Sequence, residues 1–263
     1  MGLGSDIMLL VGTAGYSYKD WIGPFYPEGI KATDMLEYYS RHFNFVELNS
    51  TYYHMPSTRL FEAIENKTPD NFKLSVKLNN GFTHGRTMGP ADAEKFIYAM
   101  KPVIESNKLV CILAQFPYSF HCTKENGEYL KRMRDWFPDI NVNIEFRSQD
   151  WLKRGVMEYL KSNGLGFVCV DEPDIKGLVK KVAETTSDIA YVRFHGRNSE
   201  KWYAGEGSER YDYLYSVDEL KEWTPKIHEL KNKSSVVVVS FNNHPIGSAI
   251  QNARIMMKLL SKK

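Results

Sequence analysis

The sequence predicts a single α/β domain folded as a TIM-like (β/α)8 barrel, and three observations carry that expectation. The chain has 263 residues, long for an ordinary domain and normal for one barrel of this kind. Eight short runs rich in β-branched and apolar residues recur along it, the first starting at Met8 and the last at Val236. They are spaced by about 33 residues, the length of one βα unit, with polar loops and helical patterns between them. A doubly wound open sheet is the rival, because strand count does not prove closure.

The elements read as follows along the chain. Met8–Gly12 is the first strand and runs into Thr13-Ala14-Gly15-Tyr16-Ser17-Tyr18, with Trp21 and Phe25-Tyr26-Pro27 beyond it. Thr33-Asp34 caps an amphipathic turn that begins at Met35. Phe45–Leu48, the second strand, contains Glu47 and leads to Asn49-Ser50-Thr51-Tyr52-Tyr53. Phe72–Leu78, the third, ends Lys77-Leu78-Asn79-Asn80 and precedes Phe82-Thr83-His84. Asp92 opens a helix over Ala93–Met100, and Pro102 is expected to break or kink it. Val110–Gln115 is the fourth strand, followed by a helix over Asn126–Met133. Val142–Phe146, the fifth, delivers Glu145 and Arg147, with Trp151 close behind. Phe167–Val170 leads to Asp171-Glu172-Pro173, and Ile189–Phe194 leads to His195-Gly196-Arg197. A helix over Val217–Leu230, the strand Val236–Phe241, Asn242-Asn243-His244 and a last helix over Gly247–Leu260 complete the pattern. Nothing resembling a linker divides the chain, so one domain over 1–263 is expected, with 1–6 read as a flexible N-terminal tail.

Composition narrows the partners. Hydrophobic residues at 43% and charged residues at 25% exclude wholesale disorder and collagen-like repeats. Lys plus Arg number 34 against 32 Asp plus Glu, so a global basic surface for nucleic acid is not indicated. The longest apolar runs, Ile7–Val11 and Val236–Val239, are too short to span a bilayer. The first residues lack the basic and apolar regions of a secretory signal, and the three cysteines have no metal-like spacing. Reduced structural thiols in a cytoplasmic protein are therefore expected. There is no P-loop, no strand-linked G-x-G-x-x-G, no H-E-x-x-H and no G-x-S-x-G, so no cofactor is expected. One divalent ion on Glu47, Glu145, Asp171 and His195 is the alternative.

Barrel enzymes carry their chemistry at the C-terminal strand ends. Strand alternation puts Glu145 and Arg147 on one face, and Tyr191, Arg193 and His195 on another. Inward-facing charges are costly unless paired, hydrated or bound to a ligand. A packing role would suit any one of them, but Lys77, Glu145, Arg147, Arg193 and His195 collect at one end. Glu145 and His195 are the acid/base candidates, and Lys77 a clamp, base or amine nucleophile. Arg147 and Arg193 offer forks for phosphate or carboxylate, and the amides at Gly247-Ser248 a further anion site. Glu47, Asn49, Tyr16, Trp21, Tyr52, Gln115, Asp171 and Asn242 complete the expected substrate-binding set. The 35 aromatic residues place about half their rings after strands, which predicts an aromatic-walled polar pocket. The 197–216 connection, with Trp202-Tyr203 and Tyr211-x-Tyr213-x-Tyr215, reads either as a mobile lid or as a packed excursion.

Gly12-Thr13-Ala14-Gly15-Tyr16-Ser17-Tyr18-x-x-Trp21, Phe45-x-Glu47-x-Asn49-Ser50-Thr51-Tyr52-Tyr53, Gln115-Phe116-Pro117, Glu145-Phe146-Arg147-x-x-x-Trp151 and Arg193-Phe194-His195-Gly196 together resemble domain of unknown function 72, the YecE-like family. The resemblance spans residues 8 to 260 and implies a TIM-like barrel, without implying a reaction. The leading functional expectation is an enzyme acting on an anionic or highly polar small molecule by acid/base chemistry. One alternative is a glycosidase-like protein with two carboxyl groups facing across a cleft at ~5–10 Å. The other is a nucleic-acid-binding protein that reads a base on an aromatic platform. Oligomeric state is left open by the sequence.

Overall fold

Eight parallel strands pair in sequence order and the eighth returns to the first, closing the barrel. They are β1 (Met8–Ala14), β2 (Phe45–Leu48), β3 (Lys73–Lys77), β4 (Leu109–Gln115), β5 (Val142–Glu145), β6 (Leu165–Asp171), β7 (Ile189–Phe194) and β8 (Val236–Phe241). Closure is set by register: Thr13 pairs with Val46 on one side and Phe241 on the other. The open-sheet rival is thereby excluded. The computed structural model of the chain describes residues 7–205 and 207–261. The expected tail at 1–6 lies outside the described residues.

The helices are α1 (Met35–Ser40), α2 (Thr58–Lys67), α3 (Asn80–Thr83), α4 (Pro90–Glu105), α5 (Lys124–Asp135), α6 (Val156–Ser162), α7 (Lys201–Ala204), α8 (Val217–Lys221), α9 (Thr224–Lys231) and α10 (Ser248–Leu260). Two expectations are corrected. Asp92 does not precede its helix but sits in its first turn, accepting the Gly89 N–H at 3.1 Å, and α4 continues through Pro102 to Glu105. Pro102 falls in the last turns, where a missing N–H disrupts few downstream bonds. The helix expected over Val217–Leu230 is two helices, because Pro225 favours a first-turn position and restricts Thr224 before it. Between β6 and β7 the connection carries no helix.

Residues such as Leu10, Phe45, Cys111, Leu113, Val168, Tyr191 and Val238 fill the barrel interior, while a larger apolar layer joins strands to helices. Strands buried on both faces read as continuous apolar runs, which is why they were visible in the sequence. The first strand approaches the second so closely that a methyl group on Gly12 would lie 2.0 Å from the Phe45 carbonyl oxygen. Gly12→Ala is expected to destabilise the fold by about 1–3 kcal/mol, lowering Tm by roughly 3–10 °C in a thermal melt. An unchanged Tm would mean that β1 and β2 separate at little cost. Among the described residues no helix is long and apolar enough to cross a membrane. The cysteines are free, with Cys111 and Cys169 buried.

Candidate functional site

Side chains from the ends of seven strands, β2 to β8, meet at the C-terminal mouth. Arg193 on β7 is fully buried and reaches across the barrel, donating through Nε to Glu47 Oε2 at 2.8 Å and through Nη2 to the other Glu47 oxygen. Its Nη1 donates to Glu145 Oε2. Arg147 Nη2 lies 2.9 Å from Glu145 Oε1, and its Nη1 donates to Glu172 Oε2 at 2.8 Å. Tyr191 donates to Glu47 Oε2 at 2.8 Å and shares a 2.7 Å hydrogen bond with Ser75. Two cations and three carboxyl groups therefore form one connected network, the arrangement that makes buried charge tolerable.

That network sets protonation. Burial alone would raise the Glu145 carboxyl, but Arg193, Arg147 and His195 hold it well below the usual carboxylate range. Glu47 is lowered for the same reason, with burial outweighed by Arg193 and by the Tyr191 hydroxyl. His195 is pushed down to about 3 by burial and then by Arg147, against the pull of Glu145. With Asn242 Nδ2 donating to Nδ1 at 3.1 Å, the neutral ring keeps its proton on Nε2, which faces Glu145 Oε1 at 3.2 Å. Glu172 moves the other way, raised to about 7 by burial and the Glu145 charge despite Arg147.

Above the network opens a cavity of about 580 Å³ whose lining includes Tyr16, Tyr18, Asn49, Tyr52, Lys77, Tyr211, Asn242 and His244. Lys77 stands on its floor, donating from Nζ to Gln115 Oε1 at 2.9 Å and lying 4.4 Å from the centre of the Tyr52 ring. Burial and then Arg193 push its amine down to about 7, although Glu145 and Glu47 pull upward. Gln115 is held for this contact by its own Nε2, which donates to the Phe116 carbonyl at 2.8 Å.

The structure thus gathers Glu47, Glu145, Arg147, Arg193, His195 and Asn242 in one connected network, with Lys77 and Gln115 as a hydrogen-bonded pair beside it and Asn49, Tyr16 and Tyr52 on the cavity wall. Two expected binding residues lie elsewhere. Asp171 faces outward from β6, where it accepts both Nε and Nη2 of Arg197 at 2.8 Å, Trp223 Nε1 at 2.7 Å and the Tyr215 hydroxyl at 2.8 Å. It anchors the 197–216 connection and the helices after it. Trp21 is wholly buried, donates to the His244 carbonyl at 2.8 Å and packs against Tyr18, Phe25 and Tyr26. Phe82, Phe116, Phe120 and Trp151 are buried likewise, so the aromatic wall is made of tyrosines, whose hydroxyls can face water.

The Arg147 and Arg193 forks are engaged by carboxylates, and the buried start of α10 at Gly247-Ser248 does not line the cavity. The expected anion clamps are therefore occupied or remote. The carboxylates of the glycosidase-like alternative are engaged by Arg193, which removes an opposed, free pair. Nor does the proposed metal set fit an ion. Glu47 and Glu145 are turned onto arginines, Asp171 points away, and among the described residues no three such side chains group as metal ligands.

Sequence reasoning missed His84, Glu172 and His244, and placed Tyr211 only among the rings of the aromatic wall. His84 sits edge-on to Tyr52 at 5.2 Å and is pushed down to about 4 by burial, Lys77 and Arg147. Strand parity from Val168, which the structure places in the barrel interior, selects Glu172 rather than Asp171, but the all-apolar run before them does not mark that parity in the sequence. Tyr211, with Gly207 and Ser208, brings the 197–216 connection to the cavity wall, while Trp202 packs beneath it against Arg147.

These neutral histidines make acid stability a readout. An unfolded histidine takes its proton near pH 6.5, whereas folded His195 resists until about pH 3, so stability falls as pH drops between those values. His84 acts with the same sign, while Glu172 opposes them between about 7 and its usual value of 4.5. The stability gap between wild type and His195→Asn is expected to shrink by about 2–3 kcal/mol from pH 7 to pH 4, measured by urea unfolding. A gap independent of pH would refute the sealed neutral ring.

A closed (β/α)8 barrel with polar and ionisable side chains converging at its C-terminal mouth defines a TIM-barrel protein. The chain belongs to the family described as protein of unknown function DUF72, whose model matches residues 10–263. It is 34% identical to the UPF0759 protein YunF of Bacillus subtilis, covering 96% of this chain and 95% of that one. A solved DUF72 family protein of Thermotoga maritima is 42% identical with a TM-score of 0.90, covering 97% of this chain and all of the other. One from Enterococcus faecalis is 29% identical with a TM-score of 0.86, over 97% and 96% of the two chains.

Proposed function

We propose that the protein is an enzyme acting on a highly polar, uncharged small molecule bound in the mouth cavity, with Lys77 as its proton-transfer group. The observation that carries this reading is the Lys77 amine, lowered to about 7 on the floor of a tyrosine-walled cavity. An amine titrating there is half neutral near physiological pH, the condition under which a base combines availability with strength. Glu145 is too firmly ionised to donate a proton, and its two arginines make it a weak base. It acts with Glu47 as fixed negative charge, and neutral His195 as the group that orients Glu145. Occupied arginine forks favour the uncharged branch over an anionic substrate.

The test is a pH profile on a turned-over compound found among aldoses, ketoses and polyols by NMR. A rise in kcat/KM through about pH 7 is expected as Lys77 loses its proton. A profile flat from pH 5.5 to 9 would remove Lys77 from that role.

A further inference from the structure

We propose that Lys77 forms a covalent iminium with a small polyhydroxylated aldehyde or ketone seated in the mouth cavity. The proposal rests on the reading of Lys77 as the reactive group and specifies its substrate class.

The surroundings of Nζ suit an iminium better than an ammonium. An ammonium presents three N–H donors. Here Gln115 Oε1 supplies one acceptor, fixed by the second hydrogen bond of its own amide, and the Tyr52 face covers another side. Among the described residues no carboxylate lies within ion-pair distance of Nζ. An iminium of lysine carries one N–H, so Gln115 alone satisfies it, and its delocalised charge rests on the Tyr52 ring. The remaining direction opens to the cavity, where Asn49, Asn242, Tyr16 and Tyr211 offer amide and hydroxyl groups to a polyol chain. Asn49 Oδ1 is buried in the cavity wall without a hydrogen-bond partner.

The step balances without a further reagent. The Nζ lone pair adds to the carbonyl carbon, and the amine proton passes to the oxygen to give a carbinolamine. Nitrogen then expels that oxygen as hydroxide, which takes a proton from solvent and leaves as water. The carbon–nitrogen double bond remains, carrying one positive charge.

The experiment treats the full chain at pH 7.5 with glyceraldehyde or dihydroxyacetone and sodium cyanoborohydride, then maps modified lysines by peptide mass spectrometry. Lys77 is expected to be modified at least about tenfold faster than exposed lysines such as Lys95 and Lys101. Gln115→Leu should slow modification at Lys77 while leaving the exposed lysines unchanged. Modification of Lys77 no faster than of Lys95 overturns the iminium. If the pH profile still inflects near 7, the proton-transfer reading survives that result; if it does not, both fall together.

Discussion

Arg193→Leu is expected to destabilise the fold by about 3–5 kcal/mol, the cost of leaving buried charges without their partner. Arg193 is fully buried and holds both Glu47 and Glu145, neither of which is exposed to solvent. Without it, Glu145 keeps Arg147, but Glu47 keeps only the Tyr191 hydroxyl and the field of Lys77. Glu47 would then take up a proton near neutral pH, since burial raises a carboxyl that lacks a counter-charge. Thermal melts at pH 7 should show Tm lower by about 10 °C or more. The triple variant Arg193→Leu, Glu47→Gln, Glu145→Gln should recover a large part of the loss, because an apolar and amide cluster has no orphaned charge. A single variant that melts with wild type would mean the network is hydrated and contributes little.

The barrel was legible because its strands are buried on both faces and therefore stand out as apolar runs. The same property hid part of the site. In Phe167–Val170 every residue is apolar, so nothing in that run says whether Asp171 or Glu172 continues the inward face. In β5 and β7 the charged residues fall two apart, at 145 and 147 and at 193 and 195, and their common face is explicit. The rings after the strands also divided in a way the composition did not display. Trp21, Phe82 and Phe116 went into the packing beneath the loops, while Tyr16, Tyr18, Tyr52 and Tyr211 kept a hydroxyl near the cavity. What sequence could not reveal was the bonding state of the arginines. Arg147 and Arg193 look like anion clamps when read singly, and only the cross-barrel register shows that carboxylates occupy them. The consequence reaches the proposed function, where it favours an uncharged substrate over an anionic one.

Lys77→Met should separate stability from activity, because the two respond with opposite signs. The side chain is close in length to lysine but carries no charge, so the space is filled and the desolvated amine removed. Folded Lys77 titrates at about 7 and an unfolded lysine at about 10.5, so between these values the unfolded chain binds more protons. Wild-type stability therefore rises with pH across that window, and below pH 7 the full penalty is present. With allowance for water in the cavity, Lys77→Met should be more stable at pH 7 by about 1–2 kcal/mol, or roughly 2–8 °C in Tm. That advantage should vanish by about pH 10. Over the same range turnover should fall by about 10²–10⁴-fold, the contribution expected of a positioned proton-transfer group. Any residual activity should lack the inflection near pH 7. A variant that melts lower at pH 7, or turns over normally, would mean that the amine is held for packing. A residue that weakens the fold across its working pH range and whose removal silences the cavity is hard to account for by packing, since packing has no use for a desolvated amine.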